Sequence, residues 1–365
     1  MKQLLLVAFG FLFCTALAST PDDEINYTEG FVTGSVAVKS INSLAFGPQG
    51  ILFIGDSKSA AIFAIETKDT GSKSAAVDVK NIDKKLAASL GTTVENISIQ
   101  DMVVHPETKT VYIAVHNADG TPALVKLEGD QFVPVKLDNI RYSSVGLSNV
   151  VATDAKDSRD RPLRVWTISD LGYYNNQVMV TGLSNLEFSS TFRSIPFPFK
   201  DAQDQASLEI YHASHGQYET NSPVKTFTAT ELDGKSYLIA SYTCTPLVVF
   251  PMDELKSGKH VKGRTVAELG NRNTPLDIVT MTKDGKKYLL LANSNRALMK
   301  ISYDNLASFN ESLSKPVEGT EGVEFMALPY VNVLQLDKLD DENFVMLQRK
   351  ADGNLDLMTV STQRL

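Results

Sequence analysis

Apolar residues recur along this chain in short runs of strand length, and these runs return in sets. In the first set, residues 40–46 are followed by a Gly- and Pro-containing turn at 47–50 and by two further runs at 51–56 and 61–65. Similar sets begin near residues 40, 98, 167, 222, 274 and 332. A small antiparallel sheet repeated in this way is typical of a β-propeller. The pattern therefore predicts an all-β chain that forms a six-bladed β-propeller.

A fourth strand for some blades is weaker but visible, at residues 75–79, 132–136, 264–269 and 323–328. The sixth set ends after its third run, at 355–360. We expect the N-terminal strand, residues 31–38, to pair with this last blade, because such pairing closes the ring and removes open sheet edges.

Two stretches break the period, residues 137–164 and residues 200–221. Only residues 81–90, with Ile82, Leu86 and Leu90 four apart, have the spacing of a short helix.

The N-terminus has the three parts of a secretory signal. One basic residue precedes an apolar run at 4–17, and the small residues Ala16 and Ala18 follow it. The run is shorter than the roughly 20 residues that a membrane-spanning helix needs. We therefore predict a signal peptide over residues 1–18 with cleavage near Ala18, an exported (periplasmic or secreted) protein, and one propeller domain over 19–365. No transmembrane segment is expected in the mature chain.

Composition excludes several classes of function. A net charge of -8 and a pI near 5.3 argue against a nucleic-acid partner, which needs a basic surface. The mature chain keeps one cysteine, Cys244, so an internal disulfide and a cysteine-rich zinc site are both excluded. Motifs for covalent haem, a nucleophile elbow, a P-loop or a dinucleotide fold are absent. These absences leave open whether the protein is an enzyme.

The first strands of the six sets carry a polar residue at one aligned position. The aligned residues are Ser43, Asp101, Asp170, Lys225, Asp277 and Gln335. First strands line the central channel of a propeller, so this column is a candidate site for a ligand or a divalent cation. The alternative is that these side chains only satisfy one another and water in a wet channel.

The loop before the fourth set holds His212, His215 and Glu219 within eight residues. Histidines with a nearby carboxylate are common in transition-metal sites, although histidine also forms ordinary hydrogen bonds in loops. The loop between the second and third strands of that set places Cys244 at the same face. A thiol there could bind a metal or, with a histidine as base, act as a nucleophile, or it could be inert.

The loop before the fifth set offers hydrogen-bonding side chains after a flexible glycine. Arg272 and Asn273, with Asn295 from a loop on the same face, could recognise an anion or a carbohydrate, or they could cap the turn. We expect all these loop candidates and the aspartate column to converge on one face, with Lys225 close to at least one aspartate.

The chain resembles, in architecture, the secreted six-bladed propellers of the SMP-30/gluconolactonase and NHL-like groups. It is also similar to a group of uncharacterised exported bacterial propellers. The matching phrases are residues 183–185 and 193–199, 242–247 and 268–273. The SMP-30 resemblance implies a divalent cation held at the channel mouth by Glu, Asn and Asp, and hence a hydrolase or lactonase. In the aligned column there is no Glu, and Lys225 would repel a cation.

Three functional hypotheses follow. The first is an exported, non-catalytic or accessory propeller that binds a small molecule, a carbohydrate or a protein partner at its polar mouth. The alternative is a metal-dependent hydrolase that uses Asp101, Asp170 and Asp277, with or without His212, His215 and Glu219. The third is a redox accessory protein that binds copper through His212 and Cys244 together with His215.

Overall fold

The structure is a computed structural model that describes residues 25–70, 76–200 and 202–365. The predicted signal peptide lies outside these residues. No helix within the described ranges is both long and apolar enough to cross a membrane.

Strands occupy the chain from near its start to its last residues. The first part contains β1 (Val32–Gly34), β2 (Ser43–Phe46), β3 (Ile51–Asp56), β4 (Ala61–Glu66), β5 (Asp78–Val79), α1 (Ile82–Ser89), β6 (Ile97–Val104), β7 (Val111–Asn117), β8 (Pro122–Glu128), β9 (Gln131–Pro134) and β10 (Ile140–Gly146). The middle part contains β11 (Asp170–Tyr174), β12 (Gln177–Leu183), β13 (Ser190–Pro196), β14 (Asp204–His212), β15 (Gln217–Glu219), β16 (Val224–Leu232), β17 (Lys235–Tyr242), β18 (Pro246–Pro251), β19 (His260–Lys262) and β20 (Arg264–Leu269). The last part contains β21 (Pro275–Lys283), β22 (Lys286–Asn293), β23 (Met299–Ser302), α2 (Tyr303–Ser308), β24 (Thr320–Gly322), β25 (Phe325–Ala327), β26 (Val333–Lys338), β27 (Asn343–Arg349) and β28 (Leu355–Ser361). Short 3-10 turns lie at Pro48–Gly50, Val94–Asn96, Arg164–Trp166 and Thr362–Arg364.

The described strands form six blades, antiparallel except for β19, which pairs in parallel with β14; this confirms the predicted six-bladed propeller. From the channel outward, blade one is β2-β3-β4-β10-β1, blade two is β6-β7-β8-β9, and blade three is β11-β12-β13-β14-β15, with β19 added beside β14. Blade four is β16-β17-β18-β20-β24, blade five is β21-β22-β23-β25, and blade six is β26-β27-β28-β5. The short helix predicted at residues 81–90 is also present, as α1.

The blades do not follow one another around the ring in chain order. The inner strands contact in the order β2, β11, β16, β21, β26, β6 and back to β2. Blade two therefore lies between blades six and one. The chain builds three strands of blade one, adds β5 to blade six, completes blade two, and returns as β10 to finish blade one.

Ring closure differs from the expectation. The N-terminal strand β1 pairs with β10 at the outer edge of blade one and does not reach the last blade. Instead β5, expected as the fourth strand of blade one, pairs with β28. Burial explains why β5, and not β1, pairs with the last blade. Val77 and Val79 are buried on either side of exposed Asp78, whereas Val32 of β1 is 56% exposed.

The core lies between blades. Six clusters of buried apolar side chains each join two neighbouring sheets, one cluster at every junction of the ring. Because strands are covered on both faces, their sequences are nearly continuous apolar runs. The polar residues that interrupt these runs are therefore the ones that need an explanation.

Candidate functional site

The aspartates of the polar column are half-buried, and their oxygens accept backbone N–H groups from the next inner strand. The donors are Leu44 N to Asp101 at 2.6 Å, Phe227 N to Asp170 at 3.0 Å, Leu336 N to Asp277 at 2.7 Å, and Val104 N to a fourth aspartate, Asp337, at 2.6 Å. Each bond crosses a junction between two blades. The aspartates therefore join neighbouring blades to one another.

Two further members of the column complete this arrangement. The Ser43 hydroxyl lies 3.1 Å from Asp101 and 3.2 Å from Asp170, and it accepts the N–H of Leu171 at 3.1 Å. The Gln335 amide, in the orientation that satisfies its neighbours, donates to both Asp277 and Asp101 at 3.1 Å. The column is thus hydrogen-bonded across the channel, as the wet-channel alternative required.

In blade four the aligned residue is Thr226 and not Lys225. The inner strands of blades two, five and six have a register irregularity directly before Asp101, Asp277 and Gln335; in blade four the residue that follows this irregularity is Thr226, and Lys225 is the bulged residue itself. The Lys225 ammonium lies 4.1 Å from the centroid of the Trp166 ring. Burial lowers the pKa of Lys225, and the negative charge of Asp170 opposes that change, but Lys225 forms no ion pair with an aspartate among the described residues.

Burial governs the protonation of the column. It raises the pKa of Asp101 to about 8, with a further contribution from the charge of Asp170. It also raises the pKa values of Asp170 and Asp337 to about 6. Burial, followed by repulsion from Asp101, raises the pKa of Asp277 well above its usual range. The column therefore carries less negative charge than its composition suggests.

The aspartates and the histidines lie in separate cavities, contrary to the expected convergence. Asp101, Asp170 and Asp277 line a cavity of about 680 Å³ whose wall includes the turns at Gly47 and Asp340. These turns follow first strands, so this cavity opens on the face opposite the loops that carry the histidines. The cavity that contains His212 and His215 shares no lining residue with it.

The strongest cluster of metal-binding side chains is formed by His212, His215 and Cys244. One ligand atom from each residue lies within 4.8 Å of the other two. His212 ends β14, His215 lies in the turn that follows, and Cys244 comes from the loop between β17 and β18. Because blades three and four are adjacent, the β14–β15 hairpin and this loop meet at one edge of the ring.

Glu219 holds both histidines. Its two carboxylate oxygens contact Nδ1 of His212 at 2.9 Å and Nδ1 of His215 at 2.6 Å, and the Ser222 hydroxyl donates to it at 3.0 Å. Burial alone would raise the pKa of Glu219, but the hydrogen bonds from His212 and His215 outweigh it and hold the pKa at about 2. Glu219 is therefore an ionised partner of the histidines, and it stands outside the group of three donors.

The remaining ring nitrogen of His212 is buried without a partner. The His212 side chain is 3% exposed, and its Nε2 makes no hydrogen bond to any described residue. His215 is 45% exposed, and its ring lies 3.8 Å from that of His212 between centroids. The cluster thus has a buried side and an open side.

Cys244 lies in a turn with unusual backbone geometry. Both Cys244 (φ 66°) and Thr245 (φ 59°) adopt the left-handed conformation, which non-glycine residues rarely use. The turn is held from blade five, because Cys244 N donates to Asn273 O at 2.8 Å and the Thr245 hydroxyl donates to Gly270 O at 2.9 Å. Such geometry persists where the surrounding contacts fix it, and it is common at functional sites.

The loop before blade five acts as a turn cap. Asn273 is buried, and its Nδ2 donates to Asn293 at 2.8 Å while its Oδ1 accepts the N–H of Asn295 at 3.1 Å. The Asn295 side chain donates to Arg272 O at 2.7 Å. These amides are used within the protein, so they support the Cys244 turn; only the exposed Arg272 side chain remains free of such bonds among described residues.

The sequence analysis missed Glu268 of β20. Its carboxylate is buried, accepts the N–H of Ser214 at 3.1 Å through Oε2, and has no partner for Oε1 among the described residues. Burial raises the pKa of Glu268 to about 7, and the carboxylate interacts electrostatically with His212 and Glu219. A single acidic residue inside the apolar run 264–269 was the signal that could have identified it.

The histidine cluster opens into a cavity of about 580 Å³. Its wall contains His212, His215 and Glu219 from the segment 200–221, and Arg159 and Arg161 from the segment 137–164. These are the two stretches that interrupt the repeat; they meet here and also where Ser148 and Asn149 donate hydrogen bonds to Gln203 and Gln205.

No family model and no curated protein matches the chain. Solved structures are similar only at low identity. A chain of a mitotic checkpoint complex is 12% identical (95% of this chain, 99% of that chain, TM-score 0.39). The Cps50 (Swd1) β-propeller domain of Myceliophteria thermophila is 11% identical (88% and 84%, TM-score 0.38), and Drosophila semaphorin 1a extracellular domains 1–2 are 9% identical (91% and 88%, TM-score 0.39). These values indicate nothing about function, so the fold assignment is based on the six sheets themselves.

Proposed function

We propose that this protein is an exported, accessory β-propeller that binds one zinc or copper ion through His212, His215 and Cys244. The observation that carries the proposal is the meeting of these three donors within 4.8 Å of one another. Donor atoms around a tetrahedral metal ion lie about 3.5 Å apart. Movements of about 1 Å would therefore bring all three onto one ion.

The surroundings of the histidines support metal binding. A buried nitrogen without a partner is unfavourable by roughly 1–3 kcal/mol, and a metal ion would satisfy Nε2 of His212. Histidines that bind metals usually present their other nitrogen to a carboxylate, which fixes the ring and its tautomer. Glu219 does this for both His212 and His215 at once.

The donor set favours a particular class of metal. Two imidazoles and a thiolate suit zinc and copper, whereas calcium and magnesium prefer oxygen ligands. With three protein donors, one coordination position stays open towards the cavity. A small molecule, a carbohydrate or a side chain of a protein partner could bind there, in keeping with an accessory role.

No observation favours the hydrolase alternative. Its proposed carboxylates, Asp101, Asp170 and Asp277, accept backbone N–H groups that join the blades. Their pKa values are also raised by burial, which makes them less ionised and poorer cation ligands. The resemblance to SMP-30-like enzymes thus has no support at the residues that would have to carry the activity.

Metal titration tests the proposal. The protein, stripped of metal by a chelator, should bind one equivalent of zinc, and His212→Ala or Cys244→Ser should weaken that binding at least tenfold. His260→Ala is a matched control, because His260 also contacts a carboxylate (Glu209, 2.6 Å) but has no second histidine or cysteine beside it. Zinc binding that is absent, or that all three variants leave unchanged, would contradict the proposal.

Export is part of the proposal and has its own test. The signal-like residues 1–18 predict that the protein recovered from outside the cytoplasm begins at Ser19. Recovery of a protein that retains residues 1–18 in the cytoplasmic fraction would overturn this part alone.

A further inference from the structure

The cavity above the histidines is much larger than a metal ion requires. Its volume is about 580 Å³, whereas one water molecule occupies about 30 Å³ of liquid. Pockets for small organic ligands measure roughly 300–1,000 Å³. The space beside His212 and His215 is therefore large enough for an organic molecule as well as an ion.

One wall of this cavity carries two arginines with different partners. Arg161 forms an ion pair with Asp157, with Nη2 2.6 Å from Oδ2. The guanidinium of Arg159 has no hydrogen bond or ion pair with any residue of the described ranges. Arg159 is thus a free cation in the wall of the cavity.

The segment that carries Arg159 is ordered by its own hydrogen bonds. Oδ1 of Asp157 accepts the backbone N–H of Arg159 at 2.9 Å and that of Arg161 at 3.0 Å, and Lys156 pairs with Asp160 at 2.8 Å. These contacts fix the backbone beside the cavity. The Arg159 side chain therefore has a defined starting point from which to reach a ligand.

Arg159 offers a ligand a contact that Arg161 cannot, because Arg161 is already paired with Asp157. A guanidinium can hold a carboxylate through two parallel hydrogen bonds. A metal ion bound by His212, His215 and Cys244 would offer its open coordination position to one oxygen of the same carboxylate.

We infer that this cavity binds a small organic carboxylate, with one oxygen on the metal ion and the carboxylate held by Arg159. The inference rests on the proposed metal site and names the class of ligand that completes it. Segments 137–164 and 200–221, which interrupt the blade repeat, then each supply one half of the site: the arginine and the histidines. Functional residues on loops that a rigid scaffold positions are the usual arrangement.

Calorimetry with succinate as the probe tests the inference. Succinate should bind saturably to the zinc-loaded protein, and at least tenfold more weakly to the metal-free protein and to zinc-loaded Arg159→Ala, because each lacks one of the two contacts. Lys286→Ala is the matched control: it also removes one exposed positive charge, but this lysine lies at the β21–β22 turn and outside the cavity wall, so the variant should bind succinate like the unaltered protein.

Separate outcomes distinguish the two claims. Arg159→Ala should still bind one equivalent of zinc. Zinc binding without saturable succinate binding, or succinate binding that Arg159→Ala leaves unchanged, would overturn the carboxylate inference and leave the metal site intact. Saturable binding of inorganic phosphate in place of succinate would overturn the carboxylate assignment. Absence of zinc binding would overturn both claims.

Discussion

The carboxylate of Asp101 accepts the backbone N–H of Leu44 at 2.6 Å, and this bond crosses from the inner strand of blade two to that of blade one. Inner strands of neighbouring blades share no ladder of backbone bonds, so their N–H groups towards the channel need side-chain partners. The polar column supplies these partners. Its main role is therefore to hold the ring together.

Removing one of these aspartates should destabilise the fold. Asp277→Ala leaves the N–H of Leu336 buried without an acceptor, and we expect a loss of about 1–3 kcal/mol in the free energy of unfolding. Urea denaturation measures it. Asp253→Ala, at an exposed turn, is the control and should change stability by no more than about 0.5 kcal/mol. Equal stabilities of the two variants would contradict the structural role of the column.

The same residues predict a pH dependence. Burial raises the pKa of Asp101 to about 8 and that of Asp170 to about 6, from an ordinary value of 3.8. Between pH 4 and pH 8 the folded chain therefore holds protons that the unfolded chain has released. Stability from these groups is complete below pH 4 and decreases as the pH rises.

The measurement is the urea midpoint at pH 5 and at pH 8, which should be lower at pH 8. Asp101→Asn, which cannot titrate, should show a smaller decrease than the unaltered protein. A midpoint that rises between these pH values, or an identical decrease in the variant, would contradict the assigned protonation.

Ring closure at blade six gives a third prediction. Val79 is 5% exposed and pairs with Leu357, so Val79→Asn should lower the free energy of unfolding by about 2–3 kcal/mol through lost burial and a buried amide. Asp78→Asn, on the exposed face of the same strand, should have little effect. Hydrogen exchange should become faster at residues 355–360 in Val79→Asn and stay unchanged when residues 25–34 are deleted. Faster exchange at residues 355–360 in the deletion variant would show that the N-terminal strand, and not β5, closes the ring.

The role of Glu219 in orienting the two histidines can be tested separately from the three metal-binding residues. Glu219→Gln removes the ionised partner of both Nδ1 atoms, and losses of 10- to 100-fold in metal affinity are typical for such partners. The control is Glu209→Gln, which alters a carboxylate bound to His260 and Lys262 away from the cavity. Zinc affinity should fall in the first variant only; an equal fall in both would show that general stability, and not orientation, is responsible.

The sequence predicted the blades well because the apolar pattern of a strand is a local property. It could not predict which blades become neighbours, since that depends on packing between distant segments such as β5 and β28. It also could not show that Lys225 is the bulged residue of β16, because the position of the irregularity that precedes Asp101, Asp277 and Gln335 in their strands depends on pairing with the second strand. Thr226 could be assigned only from the register of the folded sheet.

Part of the site could be predicted because some of its residues lie close together in the sequence. His212, His215 and Glu219 lie close in sequence, so their proximity was visible, and alignment of the blades placed Cys244 near them. The proximity of Glu268 and Arg159 to the histidines depends on folding, because each comes from a segment distant in sequence; for Glu268 the acidic position within 264–269 was the one available signal. The sequence predicts a ligand-binding role for Asn273 and Asn295, but their amides hold the turn that positions Cys244.

X-ray absorption at the zinc edge tests the central claim most directly. For protein loaded with one equivalent of zinc, the account predicts one sulfur at about 2.3 Å and two imidazole nitrogens at about 2.0–2.1 Å, with the sulfur lost in Cys244→Ser. A first shell of oxygen and nitrogen alone in the unaltered protein, or a spectrum unchanged by Cys244→Ser, would contradict a metal site at His212, His215 and Cys244.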